Sequence, residues 1–432
     1  MLVVAPHPFF TPRGTPFSVY YRTLAVAEQG VPIDLLTYHP GKDVDIPGLR
    51  IVRIPRIRWL EPVPIGPSWK KLFLDVFMVL WTIGMLARHR YAVVHAHEEA
   101  VFWCRFLKPI FRFRLIYDMH SSLPQQLENF RFTKSKLLIG TFKWLEDSCL
   151  RAADAVITIC PDLRDYALAS GVEPGRHLLI ENSIFDDVRL AGEATEGAAQ
   201  PTTAVPVEFD PAHPVILYAG TFEAYQGIDI VIRAFERVHR RHAAARLLLA
   251  GGTDEQIGAM RALAASLGLA DACIFTGRVS KTEALRFTRS AQVLVSPRVH
   301  GTNTPLKIYE QLASGKPLVA TRIWSHTQVL DDSVCFLVEP EPESMADGLL
   351  SALEQPADAA ARARNAQALY ARDYARPIYV EKIRRLLTLV GLTVKPVENR
   401  AQAQAQAEAE AEADADADTS AEAVVSRHAH GR

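Results

Sequence analysis

A chain of 432 residues with 49% hydrophobic and 9% aromatic content is long enough for two buried cores. Its formal net charge of −1 excludes a generally basic nucleic-acid binder. The balance hides an asymmetry: the C-terminal tail is acidic, so the rest is mildly basic, most visibly from Arg50 to Arg114.

Five cysteines (Cys104, Cys149, Cys160, Cys273, Cys335) lie scattered, with no C-x-x-C. They read as reduced core residues of a cytoplasmic protein, not as a disulfide frame or a zinc site. The start, MLVVAPHP, has no charged n-region and too short an apolar run for a signal peptide. Leu2 to Ala5 reads as a buried strand, followed by the loop PHPFFTPRGTPFS, a helix from about Ser18 to Gln29 closed by Gly30, and the strand Ile33 to Tyr38. That is a βαβ unit without G-x-G-x-x-G, so the dinucleotide fingerprint is absent. Arg50 to Trp59 alternates basic and apolar, as a strand with a basic outer face does. Leu72 to Ala87 is almost wholly apolar, broken by Asp75 and Thr82, and falls short of the ~20 residues that span a bilayer. Lys70, Lys71, Arg88 and Arg90 flank it. Two readings stay open for 69–90: a buried core helix, or a helix in peripheral contact with an anionic membrane at its inner face. A second aromatic-basic run, Phe102 to Arg114, favours the membrane.

Tyr91 to His97 and Leu115 to Gln126 read as buried parallel strands, the first ending in His95, His97, Glu98 and Glu99, the second in Asp118 and His120. Ligands in such sheets gather at carboxyl strand ends. A metal on His95, His97 and Glu98 is disfavoured, because one extended strand does not close a ligand set. A helix from about Leu137 to Arg151, the strand Ala155 to Cys160, the helix PDLRDYALASG and the strand LLIENSIF complete a first domain, 1–190. Residues 191–214, rich in Ala, Thr, Gly and Pro, read as a linker.

A second domain, 215–369, begins with the strand Val215 to Gly220 and continues in strand–helix alternation, with Ser280 and Glu283 forming a capping box. Its centre is SPRVHGTNTPLKIYEQLASGKPLVAT, from Ser296 to Thr321. A glycine-bearing loop leads from a strand end into a helix N-terminus, which favours an anion. Arg298 and Lys307 add two cations, and Glu310 lies one turn inward where a carboxylate can hold sugar hydroxyls. From about Lys395 the chain becomes AQAQAQAEAEAEADADAD, which has no apolar helical face, so the Ala/Glu/Asp-rich tail 395–432 reads as disordered.

Glu310 to Pro317, EQLASGKP, resembles the donor-site signature of family 4 glycosyltransferases, retaining enzymes of the GT-B fold. The resemblance covers roughly Leu2 to Val390. It implies an α/β architecture of two Rossmann-like, doubly wound domains facing across a cleft. A helix at 370–390 would cross back onto the first domain. The implied activity is transfer of a sugar, with retention, from a nucleoside diphosphate sugar to a hydroxyl of an acceptor. Family habits point to a lipid-linked or envelope/exopolysaccharide glycan. By resemblance, His120 joins Lys307 and Arg298 in catalysis. Gly14, Thr15, Gly220, Thr221, Gly277, Val279, His300, Gly301, Thr302, Pro305, Leu306 and Glu310 line the donor, and Arg13 is an extra cation. No cofactor, metal or nucleic acid is implied.

Two departures stand out. The signature's first glutamate would fall at Thr302, with His300 as a stand-in. The arginine and lysine that usually hold the diphosphate are replaced by Thr221 and Gln226. These departures keep two alternatives in view: a GT-B nucleotide-sugar epimerase, and a catalytically silent GT-B membrane-associated assembly protein.

Overall fold

Strands buried on both faces pair in parallel, and the short apolar runs of this chain do so twice. The computed structural model describes residues 1–10, 14–60, 63, 68–122, 136–182 and 213–394. Arg13, Ser183, most of the linker 191–214 and the tail 395–432 lie outside them.

Among the described residues, the first sheet has the order β3-β2-β1-β4-β5-β6-β7. Its strands are β1 (Leu2–Ala5), β2 (Ile33–Thr37), β3 (Leu49–Arg53), β4 (Val93–His97), β5 (Arg114–Met119), β6 (Ala155–Thr158) and β7 (His177–Leu179). The second has the order β10-β9-β8-β11-β12-β13. It comprises β8 (Val215–Ala219), β9 (Arg246–Ala250), β10 (Cys273–Gly277), β11 (Val293–Ser296), β12 (Leu318–Thr321) and β13 (Phe336–Val338). In each sheet the chain direction of assembly reverses beside the first strand, between β1 and β4 and between β8 and β11. A crevice opens at the carboxyl ends there, so the fold itself nominates the ends of β1, β4, β8 and β11 as the ligand site.

The helices of the first lobe are α1 (Gly14–Glu28), α2 (Trp69–Arg88), α3 (Ala100–Phe111), α4 (Lys136–Ala152) and α5 (Pro161–Ala169). In the second lobe they are α6 (Ile228–Arg241), α7 (Asp254–Ser266), α8 (Lys281–Ser290), α9 (Leu306–Ala313), α10 (Trp324–Thr327), α11 (Pro342–Glu354) and α12 (Pro356–Asp373); α13 (Arg376–Leu389) follows. The Ser280 hydroxyl caps α8 by accepting from the Glu283 amide. The stretch expected as one helix, 370–390, is two. Pro377 has no N–H to continue α12, and Ala375 turns extended to restart the chain as α13. Helix α13 packs on α1, where Arg376 pairs with Glu28 at 2.5 Å and Arg384 bonds Gln29 at 2.8 Å. Lys382 reaches Glu181 at 2.5 Å.

Helix α2 has a buried side, as the core reading expected, and an exposed apolar side. Leu74, Met78, Thr82, Met85 and Leu86 recur at helical spacing and are buried. Trp69, Leu72, Phe73, Val76, Leu80 and Ile83 are exposed on the opposite side. No helix among the described residues is long and apolar enough to cross a membrane.

Candidate active site

The crevice wall of the second lobe is built by loops that lock into one another. Gly227 turns left-handed (φ 67), and a Cβ there would lie 2.1 Å from the Pro297 carbonyl oxygen. The Val299 amide donates to the Tyr225 carbonyl at 2.8 Å. The segment after β8 is therefore pressed against the segment after β11. Gly227→Ala should destabilise the protein by about 2 kcal/mol or more. Thermal melting of the variant checks this.

On that wall the Lys307 ammonium donates to Gln226 Oε1 at 3.0 Å and sits 4.3 Å from the centre of the Tyr218 ring. The Tyr218 hydroxyl donates to the Thr221 carbonyl at 2.6 Å, which holds the ring in place. Gln226 stands where the family pattern has a lysine, and its neutral carbonyl offers Lys307 an acceptor where a second ammonium would repel it. Burial pushes the Lys307 ammonium down to about 7, and the Arg298 guanidinium adds to the effect.

Arg298 braces the loop: its Nε donates to the His300 carbonyl at 2.6 Å and its Nη1 to the Asn303 carbonyl at 3.2 Å. Its guanidinium lies 5.2 Å from the Tyr225 ring centre. Gly301 (φ 135) is required there, since a Cβ would fall 2.1 Å from Arg298 Nη2. The Thr302 carbonyl accepts from Gln328 Nε2 at 2.5 Å. Buried His326, kept neutral by burial at about 3, bonds Ser296 and Thr321, and the Thr321 hydroxyl donates to the Arg298 carbonyl. Pro305 caps α9, Leu306 is its first residue, and half-buried Glu310 follows on the same helix. Burial raises the Glu310 carboxyl, with Lys281 opposing. Gly220 donates to the Ala250 carbonyl and Gly277 accepts from the Gly251 amide, so both sit at strand ends of this wall. Val279 packs nearby against the second core. The side chains of His300 and Thr302 are exposed, and it is their backbone carbonyls that bond Arg298 and Gln328.

In the first lobe one carboxylate organises the strand ends. Asp118 Oδ2 lies 2.9 Å from Arg22 Nε, 3.0 Å from His95 Nε2 and 3.3 Å from His97 Nδ1, while Oδ1 lies 3.2 Å from His120 Nε2. All five side chains are buried. Burial alone would raise the Asp118 carboxyl; Arg22, His120 and His97 hold it well below its usual value. His95 Nε2, His97 Nδ1 and Asp118 Oδ2 are near enough together to hold a metal ion, a set that the neighbouring strand closes through Asp118 rather than Glu98. Arg22 already serves that carboxylate as its cation, and a dication beside the guanidinium would be repelled. His95 Nε2 lies 3.0 Å from Asp118 Oδ2 and His97 Nδ1 lies 3.2 Å from His120 Nε2, while His97 Nε2 and His120 Nδ1 are buried without a hydrogen-bond partner; no step is assigned to a metal.

Beside this hub, Thr15 donates to Glu98 Oε1 at 3.3 Å, and Lys71 pairs with Glu99 at 2.9 Å. Gly14 opens α1 next to Thr15. Glu98 is left-handed (φ 49), which turns its side chain out of the strand and towards Thr15 and Lys71. Burial first, then Glu99, raises Asp75 to about 7; its carboxylate bonds the Tyr38 hydroxyl at 2.5 Å. The inner side of α2 packs in the first core, and Lys71 and Asp75 on it reach Glu99 and Tyr38.

The lobes meet directly. Asn303 Nδ2 donates to the His120 carbonyl at 3.0 Å, and Asp162 bonds both Gln328 and Trp324. His120 and the Arg298–Lys307 loop are brought together through Asn303. Sequence reasoning did not single out Tyr218, Tyr225, Asn303 or Arg22. Arg22 carried a legible signal, a lone cation amid the apolar residues of α1, which a buried position must pair.

The fold and this crevice define a GT-B glycosyltransferase. Residues 19–183 match the family described as glycosyl transferase 4-like domain, and residues 213–355 match glycosyl transferases group 1. The chain belongs to these family 4-like glycosyltransferases. It is 25% identical over 368 residues to the D-inositol 3-phosphate glycosyltransferase of Acidothermus cellulolyticus, covering 78% of each chain. HepE of Anabaena, solved with UDP, superposes with a TM-score of 0.64 at 14% identity, over 90% of this chain and 99% of that one. WaaG, a glycosyltransferase involved in lipopolysaccharide biosynthesis, superposes with a TM-score of 0.61 at 16% identity, over 90% and 100%.

Proposed function

We propose that the protein transfers a sugar, with retention, from a nucleoside diphosphate sugar to a hydroxyl of a lipid-linked or envelope/exopolysaccharide glycan. One observation carries the reading: Lys307 and Arg298 lie together at the N-terminus of α9, and among the described residues neither pairs with a carboxylate. Two unneutralised cations at a positive helix end suit a diphosphate. Glu310 then receives ribose hydroxyls, and Thr15 and His120 face the transferred sugar from the other lobe. The C1–O bond to the diphosphate breaks, the acceptor oxygen bonds C1 on the same face, and its proton passes to the departing phosphate oxygen. Lys307, Arg298 and the helix end stabilise the charge that develops on that leaving group. Contact between the lobes excludes water.

UDP is the first nucleotide to test, since HepE was solved with it. Calorimetry with UDP and GDP, then NMR of the sugar released slowly from a UDP-α-sugar, tests the reading. Binding of one nucleotide and first release of the α-anomer are expected. Release of the β-anomer overturns retention, epimer formation overturns transfer, and no binding of either nucleotide overturns the donor site. The outward apolar residues of α2 support the peripheral contact of 69–90 with an anionic membrane on the cytoplasmic side.

A further inference from the structure

The exposed apolar residues of α2 do not stand alone. Helix α3 packs between α2 and α4 on one side of the first sheet. Phe106 and Ile110 on α3 and Trp144 on α4 are exposed, Ile110 at 68%. Most of the large exposed apolar residues described in the protein therefore lie on these three neighbouring helices, a concentration that marks an interaction surface.

Within that surface lies a cleft of about 620 Å³, lined by Arg105, Phe106, Lys108, Arg112, Arg114 and Asp154 among others. It sits where β5 begins. The crevice with His120 is at the other end of the same strand, roughly 20 Å away. Four cations face one carboxylate. Asp154 binds Lys108 at 2.8 Å and Arg114 at 3.0 Å, which fixes both side chains in the cleft wall. No carboxylate among the described residues pairs with Arg105 or Arg112. Arg105 Nε is buried without a hydrogen-bond partner, and its guanidinium lies 4.6 Å from the Phe106 ring centre. Arg112 is left-handed (φ 57) at the end of α3, a position that glycine or asparagine fills at less cost. The chain keeps an arginine there and so aims a charge beside the cleft.

We propose that this cleft binds the phosphodiester head of an anionic phospholipid in a bilayer, with Phe106 and Ile110 seated at the acyl boundary. The inference rests on the membrane contact proposed above and adds a headgroup site on α3 that the 69–90 segment does not contain. A bilayer is the occupant because the cations lie beside the exposed apolar side chains of Phe106 and Ile110 on the same helix, which a soluble phosphate ester would leave in water. The diphosphate of the donor belongs to the distant crevice.

Full-length protein sedimented with vesicles of phosphatidylcholine alone, or with 30 mol% phosphatidylglycerol, tests the site. The wild type should prefer the anionic vesicles, and Arg105→Gln with Arg112→Asn should weaken that binding roughly 10- to 30-fold while leaving binding to neutral vesicles unchanged. Asparagine tolerates the left-handed turn. UDP affinity and melting temperature, measured on the same samples, show that the variant is folded; Ile110→Ser serves as a second variant and should weaken binding to both vesicle types. A wild-type preference that survives the double substitution overturns the headgroup site and leaves the membrane contact standing. No vesicle binding by the wild type overturns both. Displacement by millimolar inorganic phosphate or glycerol 1-phosphate overturns the bilayer as occupant. UDP binding is read independently, so loss of the donor reading would show there and nowhere else.

Discussion

Lys307→Met is expected to lower kcat/KM for sugar transfer by about 10²- to 10³-fold, the range seen when one donor to a developing oxyanion is removed. Methionine keeps the length of the stem and its packing against Tyr218. The fold should survive, because the variant removes a buried ammonium whose strongest partners are a neutral amide and an aromatic ring. Two pH signatures accompany the change. The Lys307 ammonium titrates at about 7 in the free protein, against 10.5 ordinarily. Between those values the unfolded chain binds the proton that the folded chain releases, so wild-type stability rises with pH across that window, by at most ~1.4 kcal/mol per pH unit. The methionine variant lacks that contribution. A bound diphosphate restores the charge on Lys307, so nucleotide binding takes up a proton. UDP affinity should weaken by up to about tenfold per pH unit above pH 7. Calorimetry in two buffers of different ionisation enthalpy reads the uptake at pH 7. A methionine variant with wild-type turnover, or wild-type binding without proton uptake, removes Lys307 from the diphosphate site.

The wall at the end of β11 was the most legible part of the chain because its signal is local. A strand, a glycine loop and a helix opening with Pro305 and Lys307 are readable in order from the sequence, and the structure builds that unit at the carboxyl end of β11. What sequence could not give is the use made of the two departures. Gln226 looked like a lost cation; in the fold it is the hydrogen-bond acceptor of the remaining one. Arg298 looked like a free cation; two of its N–H groups hold the loop. Asn303 was one polar residue among several, and only the approach of the lobes reveals that it reaches the His120 carbonyl. Long-range pairings of this kind leave no periodicity. The break between α12 and α13 was legible in Pro377, but the apolar spacing on either side hid it. Helix α2 resisted a choice because it carries more apolar residues than one buried face needs: one set packs in the core and another lies exposed.

Asp118→Ala should cost about 3–5 kcal/mol of stability, the penalty for leaving a buried charge without its partner. The stranded group is Arg22, which has α1 on one side and the Ile180 carbonyl, at 3.0 Å, on the other. Asp118→Asn keeps the shape and one acceptor, so it should cost less and leave a measurable enzyme. Its effect on turnover then separates a positioning role from a structural one. Asp118 Oδ1 lies 3.2 Å from His120 Nε2, which also hydrogen-bonds His97 Nδ1 at 3.2 Å, while Lys307 and Arg298 stand in the other lobe. If His120 faces the reacting sugar, kcat should fall about 10- to 100-fold with UDP affinity unchanged; equal kcat well below the melting temperature would reduce the hub to scaffolding. The histidines around the hub also set the acid limit of the protein. Burial lowers His95 and His97 below their ordinary 6.5, and lowers His7 to about 4. As pH falls through 6.5, the unfolded chain takes protons that these rings refuse in the fold, so each removes stability at up to ~1.4 kcal/mol per pH unit. The Asp118 contribution is retained above its ordinary value of 3.8 and lost only as pH falls towards its depressed folded value. Wild-type melting temperature should therefore begin to drop near pH 6.5; Asp75, raised to about 7, takes up its proton in the fold over the same range and opposes the drop, so the histidine effect is read cleanly in Asp75→Asn. A plateau extending down to pH 5 in that variant would mean that these rings are protonated inside the folded protein, with Asp118 as their counterion.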